Sequence, residues 1–259
     1  MERYRLSFIY DRGAKAHRNW ESKEFRTAAK TWHDTSRRFD YQYMFEFCGL
    51  PIIQDPQDIC MLQEILWKVK PSVVIETGVA RGGSLILSAV ILAALSQVEV
   101  INGNSTTKRR VIGIDIDLRN ENLVNLREHP LRKMIELVEG SSIDLEVVAA
   151  VSKLITPEDV VMVILDSNHE ENHVFSELML YSEFVSLGSA ILVMDTGIEF
   201  APPDTFSVKR PWGPGSNPYT ASKKFLGTQK GKDFMVDQTL EKRMMITCAT
   251  EGLLFRTKK

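Results

Sequence analysis

Five stretches of the chain are apolar without interruption or nearly so, and each is too short for a helix: Val73-Val74-Ile75, Val111-Ile112-Gly113-Ile114, Ile135-Glu136-Leu137-Val138, Val160 to Leu165 and Ala190 to Met194. Such runs mark strands buried on both faces, as in a parallel sheet. Between them the apolar positions fall at helical spacing. Asp55-Pro56 offers an N-cap with proline behind it, and Ile59, Leu62, Ile65, Leu66 and Val69 continue the period up to Pro71. Further helices are predicted over Ser84 to Leu95, from an Asp117 cap through Leu126, and from near Asp144 to Leu154. Another opens within Ser167 to His173, turns Val174, Leu178, Tyr181 and Val185 inward, and stops at Gly188. Strand and helix alternate, which predicts an α/β fold: a doubly wound, mostly parallel, Rossmann-like sheet.

The ends of the chain break this rhythm. Residues 1 to 50 mix basic residues with aromatics, from Trp20 and Phe25 to Phe45 and Phe47, and are too irregular for a sheet; they are expected to form a helical cap, with a helix over Glu21 to Phe39. Residues 51 to 259 then form the main domain. Asn102 to Lys108 has no apolar anchor and is expected to be a mobile loop. Ala201-Pro202-Pro203 and Arg210 to Pro218 are too rich in proline and glycine for regular structure, and the second is expected to lie over the site as a lid with Trp212 as an apolar wall. A helix over Tyr219 to Thr228 follows. Met244 to Cys248 with Leu253 to Arg256 should close the sheet as an antiparallel hairpin turning at Glu251-Gly252.

The predicted strands end on carboxylates: Glu76, Asp115, Asp166 and Asp195. After the first comes Gly78, then Gly82-Gly83-Ser84 at a helix start, a glycine-rich turn whose backbone N–H groups can approach a ligand. The spacing is E-x-G-x-x-x-G-G-S, not the G-x-G-x-x-G of a pyrophosphate cradle. A carboxylate there repels pyrophosphate and attracts an ammonium, which favours the amino-acid end of S-adenosylmethionine (SAM) over a dinucleotide. Asp115, at the tip of the second strand, is placed to accept both ribose hydroxyls. Ser141, Ser142 and Asp144, after the third strand, are candidates for the adenine. His169, three residues after Asp166 in a first helical turn, is the candidate general base.

Composition narrows the partners. With 259 residues, a net charge of −2 and pI near 6.2, the chain has no basic face for nucleic acid. Cys48, Cys60 and Cys248 are isolated from one another, which excludes a C-x-x-C zinc site and suits a reducing, cytoplasmic setting. No membrane span and no signal peptide are expected, and self-association into a homo-oligomer stays open.

Taken together, Ile75-Glu76-Thr77-Gly78 with Gly82-Gly83-Ser84, Ile112-Gly113-Ile114-Asp115, Leu165-Asp166 with His169, Val193-Met194-Asp195 and Arg210-Pro211-Trp212-Gly213-Pro214-Gly215 resemble SAM-dependent methyltransferases of the cephalosporin hydroxylase and rhamnosyl O-methyltransferase group, over roughly residues 51 to 255. The resemblance implies a class I methyltransferase fold and O-methyl transfer to a hydroxyl of a small molecule or sugar. It also implies a divalent cation, usually magnesium, held by carboxylates at the positions of Asp166 and Asp195. Where relatives carry Glu before or Asn after the second aspartate, this chain has Met194 and Thr196, so the third oxygen is open among Thr196, Glu199 and water. Other readings are a SAM-binding component of a hydroxylase without catalysis of its own, and a dinucleotide oxidoreductase. A further one is a zinc metalloprotease through His169-Glu170-Glu171-Asn172-His173, which matches H-E-x-x-H.

Overall fold

A computed structural model describes residues 2–202, 205 and 209–258, with the side chains of residues 2–10 and 122 outside the description. Pro203, part of the expected proline-rich stretch, lies outside the described residues. In chain order the helices and strands are α1 (Glu2–Glu21), α2 (Lys23–Arg38), β1 (Phe45–Phe47), β2 (Leu50–Ile52), α3 (Pro56–Val69), β3 (Val73–Thr77), α4 (Gly83–Ile101), β4 (Arg110–Asp115), α5 (Asn120–Glu128), β5 (Ile135–Glu139), α6 (Leu145–Ser152), β6 (Val161–Leu165), α7 (Glu171–Tyr181), β7 (Ala190–Val193), α8 (Pro218–Leu226), β8 (Phe234–Val236), α9 (Thr239–Met244) and β9 (Leu253–Arg256).

The five apolar runs are the five parallel strands of one seven-stranded sheet ordered β5-β4-β3-β6-β7-β9-β8, in which β9 pairs antiparallel with β7 and with β8. The strand order reverses between β3 and β6. Ligands of open α/β sheets sit outside such a switch point, at the strands' carboxyl ends. Each face of the sheet is covered. Leu62, Leu66, Leu85 and Leu92 pack on one side through α3 and α4, and Val151, Leu178, Tyr181 and Phe225 on the other through α6, α7 and α8. Val174, Leu178, Tyr181 and Val185 all point inward, as their spacing predicts.

Several local expectations are corrected. The helix expected over Glu21 to Phe39 is α2, a further helix α1 precedes it, and the segment read as too irregular for a sheet contributes β1 to the small antiparallel pair β1–β2. The partner of β9 is β8 and not Met244 to Cys248, because α9 occupies the approach to that stretch and Met245 takes a left-handed φ of 63° that ends the helix. Asp117 does not cap α5: Arg119 holds that position, and the Asp117 N–H donates to Asp115 Oδ1 at 3.1 Å. The Asn102 to Lys108 loop is tethered, since Glu99 Oε2 takes the Thr107 N–H at 2.8 Å and the Glu99 carboxylate pairs with Arg109 at 2.6 Å. Helix α4 is longer than expected, and its 19 residues are by length and composition apolar enough to cross a bilayer. Its inner face, with Leu85, Ile86, Leu92 and Leu95, is buried in the core.

Candidate active site

The site forms where β3, β6 and β7 end. The strand ends are laced together: Asp166 N–H donates to Thr77 O at 2.9 Å, Met194 N–H to Leu165 O at 3.0 Å, and Gly78 N–H to Ile114 O at 2.8 Å. Gly78 has φ +90°, and a Cβ on it would stand 2.1 Å from the Asp166 carbonyl oxygen. Only glycine lets the cradle turn pass so close to the neighbouring strand. Gly82 has φ +82° at the N-cap of α4. Gly83 serves a different purpose from the one its place in the turn implies, because its missing Cβ leaves room for the Pro51 carbonyl of β2, 2.3 Å from where that atom would be. The hairpin β1–β2 is thereby pressed onto the start of α4.

Glu76 is fully buried in β3. It accepts a hydrogen bond from the Ser84 hydroxyl, and its other oxygen, Oε2, has no partner among the described residues. Burial pushes its carboxyl up to about 7, against the pull of Ser84. A buried carboxylate with an orphaned oxygen is costly unless something pairs with it. Asp115 is spent more fully: Oδ2 accepts from the Val79 and Ala80 N–H groups at 2.8 and 3.2 Å, and Oδ1 from Asp117. It therefore fixes the cradle loop, in which Ala80 takes a left-handed φ of 46°. Ser142 is buried, and its hydroxyl donates to Glu177 Oε1 at 2.6 Å, 3.0 Å from His173 Nε2. Asp144 is the exposed N-cap residue of α6 and makes no side-chain cap bond.

Asp166, His169 and Asp195 converge so that one ligand atom from each lies within 4.8 Å of the others. Asp195 is held in a left-handed φ of 55°, a conformation asparagine and aspartate tolerate best. His169 Nε2 stands 3.1 Å from Asp195 Oδ2. Burial alone would neutralise both groups; their mutual attraction outweighs it, raising the imidazole above its usual range and holding Asp195 down to about 2. Asp166 goes the other way: burial first, then the charges of Asp195 and Glu76, push its carboxyl well above the usual range. Crowded carboxylates of this kind call for a cation.

Above the cluster is a cavity of about 570 Å³ lined by Asp166, His169, Asp195, Tyr43, Ile53 and Trp212, among others. The Trp212 ring lies 5.0 Å from the His169 ring. Thr196 and Glu199, both considered as the third oxygen, are not part of this wall. Thr196 is fully buried with its hydroxyl donating to Cys248 O at 3.4 Å, and Glu199 Oε2 receives the Gly215 N–H and Asn217 Nδ2. Nor do the two histidines of H-E-x-x-H share a helical face. α7 begins at Glu171, so His169 precedes it and faces Asp195, while His173 turns to Ser142 and Glu177.

Sequence reasoning missed what the N-terminal region brings. Tyr43 and Ile53 wall the cavity, and Arg37 of α2, which donates to His33 Nε2 at 3.0 Å, is raised in pKa against burial by Cys248 and then by Asp195, Asp55 and Asp58. Buried Asp58 accepts from Thr247 and from the Cys248 N–H at 2.9 Å, tying the C-terminal loop to α3. Only the density of aromatic and basic residues before Leu50 hinted at this.

Comparison with known proteins places this geometry. Rhamnosyl O-methyltransferases of Mycobacterium bovis BCG and Mycobacterium leprae are similar: the first is 28% identical over 212 residues, covering 81% of this chain and 77% of that protein, the second 25% over 209 residues, covering 80% and 81%. A CmcI structure with magnesium and SAM shares the fold at a TM-score of 0.53 and 18% identity, over 83% of this chain and 77% of that one, as does a CmcI apo-structure at 0.51 and 20%, over 84% and 78%. The family model described as Rhamnosyl O-methyltransferase/CmcI matches residues 38–257, and the chain belongs to that family.

Proposed function

We propose that this O-methyltransferase carries the methyl group of SAM to a sugar-like hydroxyl, with a divalent cation at Asp166 and Asp195. The observation that carries the reading is the convergence of Asp166, His169 and Asp195 beside the Glu76–Gly78 cradle. The residues present suit both groups. The orphaned, buried Glu76 Oε2 fits the cofactor's ammonium, and the paired aspartates fit a hard cation with oxygen ligands. When bound, SAM supplies a sulfonium methyl open to in-line attack and magnesium lowers the pKa of the acceptor hydroxyl.

The chain's own residues do the rest. Gly78 and Asp115 hold the cradle at the switch point, and Glu76 fixes the cofactor's amino-acid end. Ser142 and Asp144 border the place for the adenine. His169, held by Asp195, takes the proton of the acceptor hydroxyl. Trp212 covers the cavity and excludes water as the Arg210 to Pro218 segment closes on the acceptor. The acceptor class follows the relatives named rhamnosyl O-methyltransferases, and the cavity, part aromatic and part carboxylate, suits a sugar hydroxyl on a small molecule.

A second reading has His169 as the third protein ligand to the cation, since it stands where Thr196 and Glu199 do not reach. Magnesium titration separates the two: His169→Ala leaves magnesium affinity within about twofold if the imidazole is a base, and weakens it at least tenfold if it is a ligand. The overall proposal is tested by SAM-dependent methylation of a panel of rhamnosides with and without EDTA, and in Asp166→Ala and Asp195→Ala. Full methylation in EDTA removes the cation from the reaction, and failure to bind S-adenosylhomocysteine (SAH) removes the cofactor.

A further inference from the structure

The three-ten helix Thr196–Phe200 begins at Asp195 and carries Glu199. Its Oε2 accepts two hydrogen bonds from a segment far along the chain, from the Gly215 N–H at 2.8 Å and from Asn217 Nδ2 at 2.6 Å. Asn217 is completely buried, and each end of its amide is used. Oδ1 accepts from the Tyr219 N–H at 2.8 Å and the Thr220 N–H at 3.4 Å, capping α8, while Nδ2 also reaches Gly213 O at 2.8 Å. Gly213 and Ser216 exchange backbone hydrogen bonds of 3.0 Å, closing the turn. Immediately before that turn, Trp212 lies 5.0 Å from His169, with the Arg210 guanidinium 5.6 Å over its indole.

We infer that Glu199 is a positioning residue for the reaction: it latches the Arg210–Asn217 segment to the element that starts at Asp195, and so sets Trp212 against His169 over the acceptor cavity. The inference rests on the reading of that cavity as the acceptor site. A charged acceptor taking two donors is the strong form of hydrogen bond, and here both donors belong to the segment to be held. Both bonds fall on the one oxygen Oε2, and Glu199 is not part of the cavity wall. Proline at positions 211, 214 and 218 narrows the conformations left to the turn, so a single anchor suffices to define it. The same short helix thus presents one carboxylate to the cavity and grips the cavity's aromatic wall with another.

The test needs no acceptor. Trp212 exposure is read as acrylamide quenching, taken as the difference from Trp212→Phe in each background, and the Gly215 amide is followed by hydrogen exchange, both with SAH present. Asn217→Asp keeps an oxygen to cap α8 but sets a carboxylate against Glu199. It should raise Gly215 exchange on the order of tenfold, the effect of losing about 1.4 kcal/mol of closure, and expose Trp212. Adding Glu199→Gln to Asn217→Asp reverses donor and acceptor and should bring both signals at least halfway back to wild type, with the Gly213 carbonyl still lacking its side-chain donor. Wild-type exchange and quenching in Asn217→Asp, or no recovery in the double variant, would overturn the latch. SAH affinity, measured in parallel, should stay within about twofold throughout, because Glu199 does not touch the cradle. Its loss in the wild type would instead condemn the cofactor reading and leave the latch to be judged on its own two signals.

Discussion

Glu76 gives the sharpest test of how this site is built. It is fully buried, its carboxyl is pushed from 4.5 up to about 7 by burial, and Ser84 is its one hydrogen-bond partner among the described residues. The folded protein thus holds the Glu76 proton more tightly than the unfolded chain does. The stability this confers is fully present below about pH 4.5 and is lost as pH rises toward 7, after which the cost is constant. A rise of that size corresponds to roughly 3 kcal/mol at neutral pH, at 1.36 kcal/mol for each pKa unit. Glu76→Gln keeps the shape and an oxygen for Ser84 but carries no charge. Urea unfolding of the apoprotein should therefore find Glu76→Gln within about 0.5 kcal/mol of wild type near pH 4.5 and more stable by up to about 3 kcal/mol at pH 8.

Binding should run the opposite way. An ammonium meeting Glu76 Oε2 needs the carboxylate, so SAH affinity of the wild type should fall about tenfold for each pH unit below 7, while Glu76→Gln binds weakly and without that slope. Isothermal titration between pH 5.5 and 8 reads this directly. A wild-type affinity flat across that range, or the same slope in Glu76→Gln, would refute the pairing. A stability gain equal at both pH values would show that Glu76→Gln acts through packing and not through the buried charge.

Other substitutions probe the surrounding frame. Asp115→Ala frees the Val79 and Ala80 N–H groups and removes the proposed ribose acceptor, and should weaken SAH about 5- to 150-fold, equivalent to roughly 1 to 3 kcal/mol, by calorimetry. Gly78→Ala drives a methyl group to 2.1 Å from the Asp166 carbonyl oxygen at φ +90°, and should cost at least about 3 kcal/mol in denaturant unfolding or prevent folding. Asp58 is likewise raised by burial, from 3.8 to about 6, so its share of stability declines between about pH 4 and 6 and is then constant; Asp58→Asn should flatten that part of the stability profile, provided the Thr247 and Cys248 contacts persist.

The sheet was legible because its signal is local. Five apolar runs separated by helical periods leave few folds other than a doubly wound sheet, whereas the order of the strands within it came from the structure. The carboxylates at the strand ends were legible for the same reason, since a strand's last residue is readable without knowing its neighbours. Roles that depend on a distant partner were hidden. Gly83 reads as a ligand-facing glycine, yet its constraint comes from Pro51. Glu199 reads as a spare ligand, yet Gly215 and Asn217 claim it. The C-terminal hairpin was misread because Met244 to Cys248 has strand-like composition, while the buried carboxylate of Asp58 pins Thr247 and Cys248 elsewhere.

The residues before Pro51 contribute to the site itself. Asp166, Asp195, Glu76 and Asp58 bring four carboxyls close together, and His169 and Arg37 both draw Asp195 down. Arg37 belongs to α2, within the region read from sequence as a cap, as do the cavity residue Tyr43 and the Leu50 side chain that packs beside Gly82. Removing residues 1 to 50 would therefore subtract a cation from an acidic cluster as well as a surface from a core. Asp195, which Arg37 helps to hold low, would then keep its proton to higher pH. Arg37 is thus an electrostatic part of the site, through its pull on Asp195.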